Sequence, residues 1–304
     1  MKEVFAPQAK LLHHSDRVGE WIRTGHTTPI LFEVAPTGYC NAACPWCLFK
    51  GKRSSARVDK KLMLKAIEDM AKMDVKALNW SGGGEPTLHP DFEYFVDYAS
   101  RHGLKQGLFT NGYNIIPHQT LFSWIRISLT DKGYDKIKKP DVPFGICVNQ
   151  LSTYREMDLR RLCVKARNIG ARYFQIRPAL IGSYKDQISM SPPKYLEKLR
   201  KKNFDVYITD YKYEESKKAK VYKDCYGYHF CPSIGWNGKV NVCLYLTLQA
   251  KYQIGDLKKD RLIDIWPRIT KRIKVTKECQ NCCKNNEINK LLYAAKNIRE
   301  VDFI

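Results

Sequence analysis

Between residues 30 and 178, short apolar runs alternate with stretches whose apolar residues recur every three to four positions, the pattern of strands and helices taken in turn. The runs at 30–35, 77–81, 104–110, 124–129, 144–149 and 172–178 read as six strands. Behind Asp59, a residue suited to N-capping, Leu62, Ala66, Met70 and Met73 share one helical face. Behind Asp91, Phe92, Phe95, Val96 and Ala99 do the same until Gly103 ends the helix. A third helix covers 154–169 and stops at Gly170, whereas the link from 110 to 124 has room only for a brief helix opened at Pro117. Strand and helix in alternation predict an α/β fold around a parallel sheet.

Beyond about residue 185 the pattern changes. Residues 203–210 read as one more strand and 212–223 as a charged linker. Trp236-Asn237-Gly238-Lys239 reads as a hairpin turn, because Asn-Gly supplies the positive φ angles such turns need, and 240–246 as its second strand. A helix near 261–276, disturbed by Pro267, and a terminal helix from Glu287 complete a small Cys-rich module of β-hairpin plus helices. The chain thus divides into an N-terminal extension (1–29), a barrel region (30–210) and the module (211–304).

Composition narrows the setting. The 304 residues are 44% hydrophobic and 27% charged, as in a globular protein, with neither an apolar run long enough to span a bilayer nor a secretory start. No membrane association and a cytoplasmic location are the expectations. The net charge of +21 favours a polyanionic partner. Its densest stretch, 194–223, has ten Lys/Arg against five Asp/Glu, interleaved with Tyr195, Phe204, Tyr207, Tyr211, Tyr213 and Tyr222. Such a stretch can contact phosphates and stack bases, or be a solvated basic surface over core aromatics.

Eleven cysteines in a large chain without a signal peptide argue for metal or cluster ligation rather than disulfides. Cys147 and Cys163 sit among apolar neighbours and read as inert. The rest fall into two groups. In Cys40-Asn41-Ala42-Ala43-Cys44-Pro45-Trp46-Cys47, directly after the first strand, three thiols can hold three irons of a [4Fe-4S] cube, which normally takes four thiolates, and leave one iron open. After the second strand, Ser81-Gly82-Gly83-Gly84-Glu85-Pro86 offers a bare backbone and one carboxylate. His13, His14, His26, His89, His102, His118 and His229 show no ligand spacing, and solvent or capping roles suit them better.

CxxxCxxC with Trp46 before the third Cys, followed one strand later by Gly-Gly-Gly-Glu-Pro, resembles the radical S-adenosylmethionine (radical SAM) superfamily. The resemblance implies a partial (βα)6 TIM-like barrel in which Cys40, Cys44 and Cys47 hold a [4Fe-4S] cluster whose fourth iron is chelated by S-adenosylmethionine. It implies that Gly82, Gly83 and Gly84, assisted by Glu85, bind the methionine amino group, and that Trp46 lies near the adenine. Asn111, in the Thr110-Asn111-Gly112 end of the third strand, Ser128 on the fourth, and Gln175 and Arg177 on the sixth are implied at the same cofactor, with ordinary polar residues of a barrel mouth as the plainer alternative for the last three.

The second cysteine group resembles the SPASM and twitch auxiliary-cluster modules of that superfamily. Cys225, twelve residues, Gly238, four residues and Cys243 match their opening, and Cys279-Gln280-Asn281-Cys282 supplies a CxxC pair. The implied ligands of a second [4Fe-4S] cluster are Cys225, Cys243, Cys279 and Cys282, with Cys231 or Cys283 as substitutes; a four-cysteine zinc site is the alternative.

The function implied is reductive cleavage of S-adenosylmethionine to a 5′-deoxyadenosyl radical that abstracts a substrate hydrogen, in an isomerase or oxidoreductase reaction, with flavodoxin or ferredoxin as the reducing partner. Only 39 residues precede Cys40, too few for a peptide-recognition domain, and together with the charge this places a nucleic-acid base, nucleotide or other phosphorylated substrate ahead of a peptide. A peptide- or protein-modifying maturase is the alternative, and a zinc-containing nucleic-acid-binding protein a remote one.

Overall fold

The computed structural model describes residues 7–52, 54–179, 190–215, 218–270, 272–276, 279 and 283–302. Seven parallel strands follow one another in chain order: β1 (Leu31–Val34), β2 (Ala77–Trp80), β3 (Lys105–Thr110), β4 (Phe122–Ser128), β5 (Phe144–Gln150), β6 (Tyr173–Pro178) and β7 (Asp205–Ile208). All six barrel strands read from the sequence form, and so does the seventh near residue 205. Two short helices, α1 (Pro7–Leu12) and α2 (Ser15–Thr24), precede them. Helices α3 (Lys60–Lys72), α4 (Phe92–Arg101) and α5 (Glu156–Asn168) make three of the crossovers. Asp59 caps α3 as expected, accepting from the Leu62 N–H at 3.1 Å.

Side chains alternate across each strand. Phe32, Val34, Leu78, Trp80, Leu108, Ile125, Ile127, Ile146, Val148, Phe174 and Ile176 are buried in one continuous core with Met63, Ile67, Met70, Phe92 and Phe95 of the helices. Full burial of each such large side chain stabilises the fold by roughly 1.5–3 kcal/mol. The opposite parity carries Glu33, Phe109, Arg126, Ser128, Cys147, Asn149, Gln175 and Arg177, the polar-rich lining of the barrel interior.

His89 has the capping role expected of it: its Nδ1 accepts from the Asp91 N–H at 3.0 Å, and Nε2 lies 3.0 Å from the Val58 carbonyl oxygen. Burial holds its pKa below the ordinary histidine value. The unfolded chain therefore takes up a proton near pH 6.5 that the folded chain refuses, so this contribution is complete above about pH 6.5 and lost as pH falls, by at most about 1.4 kcal/mol per pH unit. Chemical denaturation between pH 7.5 and 5 should show His89→Gln flattening that slope.

The C-terminal segment corrects several expectations. Residues 212–215, expected to begin the linker, instead belong to α6 (Asp210–Glu215). Phe204, Tyr213 and Tyr222 are at most 3% exposed, so they are core aromatics rather than stacking platforms. Tyr213 donates to Gln150 Oε1 and Tyr222 to Asn286 Oδ1, each at 2.7 Å. The hairpin forms between β8 (Ser233–Ile234) and β9 (Lys239–Asn241), with Gly238 at φ 78°. Its second strand is shorter than the expected 240–246, because at Cys243 the chain turns into a single 3₁₀ turn, Leu244–Leu246. Instead β10 (Gln253–Asp256) pairs antiparallel to β9, while β8 adds in parallel to the free side of β1, so barrel and module share one sheet. The helix expected at 261–276 is only α7 (Leu262–Ile265) and a 3₁₀ turn containing Pro267, after which Lys274 bridges to Asp224 in extended form. The terminal helix, α8 (Asn286–Asn297), is as expected. Leu292 on it packs with Leu11, Trp21 and Phe230, closing the N-terminal extension over the module.

Candidate active site

The loop after β1 and the loop after β2 are sewn together through their backbones. Gly84 N–H donates to the Thr37 carbonyl at 3.0 Å and Glu85 N–H to the Tyr39 carbonyl at 2.8 Å. A Cβ on Gly84 would lie 2.0 Å from the Tyr39 carbonyl oxygen, and one on Gly83 would lie 1.8 Å from the Trp236 ring. Only glycine lets the two loops approach this closely. Trp236 comes from the β8–β9 turn and also meets Phe49 edge-on at 5.4 Å, so the C-terminal module presses on both loops.

Glu85, 3% exposed, fastens the glycine loop to the end of β3. Its Oε1 accepts from the Thr110 hydroxyl at 2.6 Å and the Thr87 hydroxyl at 2.8 Å, and its Oε2 from the Asn111 N–H at 2.7 Å. Burial raises its pKa, opposed by these donors. The carboxylate thus holds the wall together from behind. Asn111 in turn donates to Asn41 Oδ1 at 2.7 Å, with Cys40 Sγ 3.9 Å from the same amide nitrogen.

These elements surround a cavity of about 360 Å³ at the C-terminal ends of the parallel strands. Cys40, Cys44 and Cys47 line it together with Trp46, Gly82, Gly83, Gly84, Glu85, Asn111, Ser128, Gln175 and Arg177, so the cavity gathers every residue expected at the first cluster and its cofactor. Arg177 Nε donates to Asn149 Oδ1 at 2.9 Å. Gln175 lies deeper, accepting from Arg126 at 2.6 Å and donating to the Thr209 hydroxyl at 3.1 Å. Burial pushes the Cys44 thiol up to about 11, so an iron centre is what would make it a thiolate.

In the C-terminal module burial pushes the Cys225 thiol up to about 12, with Cys283 and Cys279 acting in the same direction. Asn289, fully buried, accepts from the Tyr226 and Gly227 N–H groups at 2.7 Å and directs its amide nitrogen to Cys283 at 3.5 Å and Cys225 at 3.8 Å. Cys231 stands apart beside Lys284, whose Nζ lies 3.4 Å from its sulfur and 2.5 Å from Glu33 Oε2 of β1. Cys243 also acts on that ammonium. Cys282 lies outside the described residues.

A family model described as the radical SAM superfamily matches residues 34–129, and one described as an iron-sulfur cluster-binding domain, SPASM, matches 225–284. The chain belongs to the radical SAM superfamily. Over 102 residues it is 37% identical to the mycofactocin maturase MftC of Mycobacterium tuberculosis, a match spanning 33% of this chain and 26% of the maturase. Among solved structures, Streptococcus suis SuiB bound to S-adenosylmethionine is similar at TM-score 0.60 and 14% identity, over 86% of this chain and 71% of SuiB. Native anSMEcpe with bound AdoMet and a peptide is similar at TM-score 0.56 and 16% identity, over 86% and 88%. At these identities the structural likeness establishes the fold, a radical SAM partial barrel extended by a SPASM-type module. Radical SAM and SPASM domains bind [4Fe-4S] clusters, the first with S-adenosylmethionine.

The residues of this radical SAM chain fit those groups. Three thiols of one short loop share a cavity with a backbone arm bare of side chains and with a polar strand-end rim. Among the described residues no three His, Cys, Asp or Glu side chains close on a single metal ion. The sequence reading lacks Trp236, Arg126, Asn149, Thr209, Tyr245 and Lys284. Strand parity could reveal Arg126, two residues before Ser128, and Asn149; the others arrive from elements that only tertiary packing brings to the cavity. Among the described residues no helix is long and apolar enough to cross a membrane.

Proposed function

We propose that the chain is a peptide-modifying radical SAM enzyme of oxidoreductase type. The observation that carries this is one cavity lined both by the barrel mouth and by Tyr245 and Lys284 of the module, so a substrate held there lies between the two cysteine groups. Cys40, Cys44 and Cys47 would hold the first cluster, and Gly82 to Gly84, Ser128 and Arg177 the S-adenosylmethionine beside it. When bound, this pair supplies a radical that takes hydrogen from the substrate. The chain's part is positioning: Glu85 and Trp236 fix the glycine loop, Asn149 aims the Arg177 fork, and Trp46 covers one side. Cys225, Cys243, Cys279 and Cys282 would hold the auxiliary cluster; the Asn289 contact supports Cys283 in place of Cys282. Flavodoxin or ferredoxin would supply electrons, and the units 1–29, 30–210 and 211–304 would serve as brace, radical source and auxiliary module.

A peptide replaces the nucleic-acid reading on two grounds. Three of the six aromatics offered for base stacking, Phe204, Tyr213 and Tyr222, are packed inside. The relatives also point that way: MftC is named a maturase, and SuiB is also known bound to its precursor peptide SuiA. Immobilised cofactor-loaded protein, offered a tryptic digest or transfer RNA at 0.1 and then at ~0.5 M KCl, where phosphate contacts weaken steeply, should retain peptides and release RNA. RNA retained at high salt with no peptide bound would defeat the proposal.

In the same preparation Cys225→Ala or Cys279→Ala should keep 5′-deoxyadenosine formation within about the 10–100-fold typical of supporting groups, while substrate-derived product disappears. Loss of both together would make the module a folding element only.

A further inference from the structure

The end of the barrel opposite the cysteine loop carries a second cleft, of about 570 Å³. It opens where the chain enters β5, β6 and β7, at the N-terminal ends of the parallel strands whose C-terminal ends build the active site. Its floor is apolar: Pro140, Phe144, Ala171 and Phe204 are buried beneath it. Five cations line it, Lys139, Arg167, Arg172, Lys201 and Lys202, against one carboxylate, Asp141. Lys201 and Lys202 belong to the basic stretch 194–223, so part of that charge is gathered here.

The backbone fixes these cations in place. The Arg172 N–H donates to the Phe144 carbonyl at 2.8 Å and the Arg172 carbonyl accepts from the Asp205 N–H at 3.0 Å, which stitches the residue between β5 and β7. Lys201 and Phe204 exchange two backbone hydrogen bonds, at 2.9 and 3.1 Å, in a tight turn that carries Lys201 and Lys202. Lys139 lies over Gly170, where a Cβ would stand 3.1 Å from its Nζ. Among the described residues none of the five side chains has an ion pair or a hydrogen bond. Other surface cations do: Lys60, Arg101 and Arg160 each meet a carboxylate, at 2.9, 2.6 and 2.6 Å.

Like charges gathered on a concave surface reinforce one another, and the resulting field concentrates anions. Two arginine forks suit carboxylates and phosphates alike. The floor favours the first. It fits a chain in which acidic and apolar side chains alternate, whereas Phe144 and Phe204, 2% and 3% exposed, offer no ring face on which a nucleic-acid base could stack.

We propose that this cleft docks an acidic segment of the substrate peptide, remote from the residue that is modified. Only the peptide's role as substrate rests on the function proposed above. β5 alone is seven residues long, and an extended chain advances at most ~3.3–3.6 Å per residue, so on the order of ten residues separate the docked segment from the reacting one.

The test uses cluster-reconstituted protein with S-adenosylmethionine and fluorescence anisotropy at ~0.1 M KCl, where the field of a charge reaches about 10 Å. The probes are a fluorescein-labelled peptide of three Asp-Leu-Glu-Ser repeats, its isostere of three Asn-Leu-Gln-Ser repeats, and a short single-stranded RNA of the same charge as the acidic peptide. The acidic peptide should bind about tenfold or more tighter than either comparison. Arg172→Glu combined with Lys201→Glu should weaken it about tenfold or more, whereas Lys65→Glu with Lys72→Glu on the exposed side of α3, an equal change of net charge, should leave it within about twofold. Arg172→Gln with Lys201→Gln, which removes the charge without adding repulsion, should weaken it about threefold or more and covers the case in which the reversed pair does not fold. Equal losses in the two charge-matched pairs, equal binding of the acidic peptide and its isostere, or RNA bound through the cleft ahead of the acidic peptide would overturn the proposal. If the charge-reversed cleft variant retains a tryptic digest as fully as the unchanged protein, the peptide reading stands and the docking surface falls. If the acidic peptide binds through the cleft while 5′-deoxyadenosine takes hydrogen from no peptide, the docking surface stands and the peptide reading falls.

Discussion

Alanine at Cys40, Cys44 or Cys47 is expected to abolish 5′-deoxyadenosine formation, a loss well beyond the roughly 10–100-fold that follows when only a supporting group of a metal centre is removed. The three thiols stand in one loop on the cavity that also contains Gly82 to Gly84, so each loss takes away a ligand and unseats the cofactor's anchor. Iron content should fall from about eight toward about four per chain, leaving the C-terminal cluster. Serine at the same positions should do no better, because an alcohol is a poor substitute for a soft thiolate. A Cys44→Ala protein that still cleaved S-adenosylmethionine would remove the site from this loop.

Gly84→Ala is expected to be nearly as damaging for a different reason. The new methyl would meet the Tyr39 carbonyl oxygen at 2.0 Å, a backbone atom with no rotamer to escape into. Relief requires parting the Gly84–Thr37 and Glu85–Tyr39 hydrogen bonds that join the two loops. Overpacking of this kind costs about 1–3 kcal/mol. The chain as a whole should remain folded while S-adenosylmethionine affinity collapses. Gly19→Ala in α2, where the nearest atom is the mobile tip of Arg23 at 3.3 Å, is the control and should leave cofactor affinity unchanged and the melting temperature no lower, since alanine favours a helix interior over glycine. Equal cofactor affinity in the two variants would show that the close approach of the loops is not needed.

Both sites could be found in the sequence because their chemistry is local. Three thiols within eight residues, or three glycines before a Glu-Pro, carry their meaning wherever the loop ends up. The barrel strands are equally legible, since apolar runs between helical repeats leave few other readings. What the sequence hides is tertiary. Trp236 reads as part of a turn, and only the pairing of β8 with β1 carries its ring onto Gly83. Tyr213 and Tyr222 sit among lysines in the chain, yet α6 and α8 bury them, so a basic aromatic stretch becomes core. Around Pro267 helical periodicity outruns the backbone: a residue without an N–H ends regular helix after Ile265, and the following extended chain gives Asp224 its Arg272 and Lys274 partners. The adjacent Cys282 and Cys283 cannot be ranked by spacing, and of the two only Cys283 is described, 3.5 Å from the Asn289 amide nitrogen.

The docking of the module explains how distant residues come to share the cavity. Arg261 forms a bidentate pair with Asp69 of α3, at 2.5 and 2.9 Å, on a carboxylate only 1% exposed. At the other edge Lys284 reaches Glu33 inside the barrel. Barrel and module are thereby tied at two points on opposite faces of β1, which is why one cavity can be lined by both.

The most direct measurement of the central claim is deuterium transfer. Reconstituted, reduced protein would be given S-adenosylmethionine and a tryptic digest of uniformly deuterated protein, with uniformly deuterated RNA as the comparison, and the 5′-deoxyadenosine weighed by mass spectrometry. A radical formed in this cavity and acting on a peptide predicts 5′-deoxyadenosine one mass unit heavier from the digest and unlabelled from RNA. Label arriving from RNA and not from the digest would contradict it.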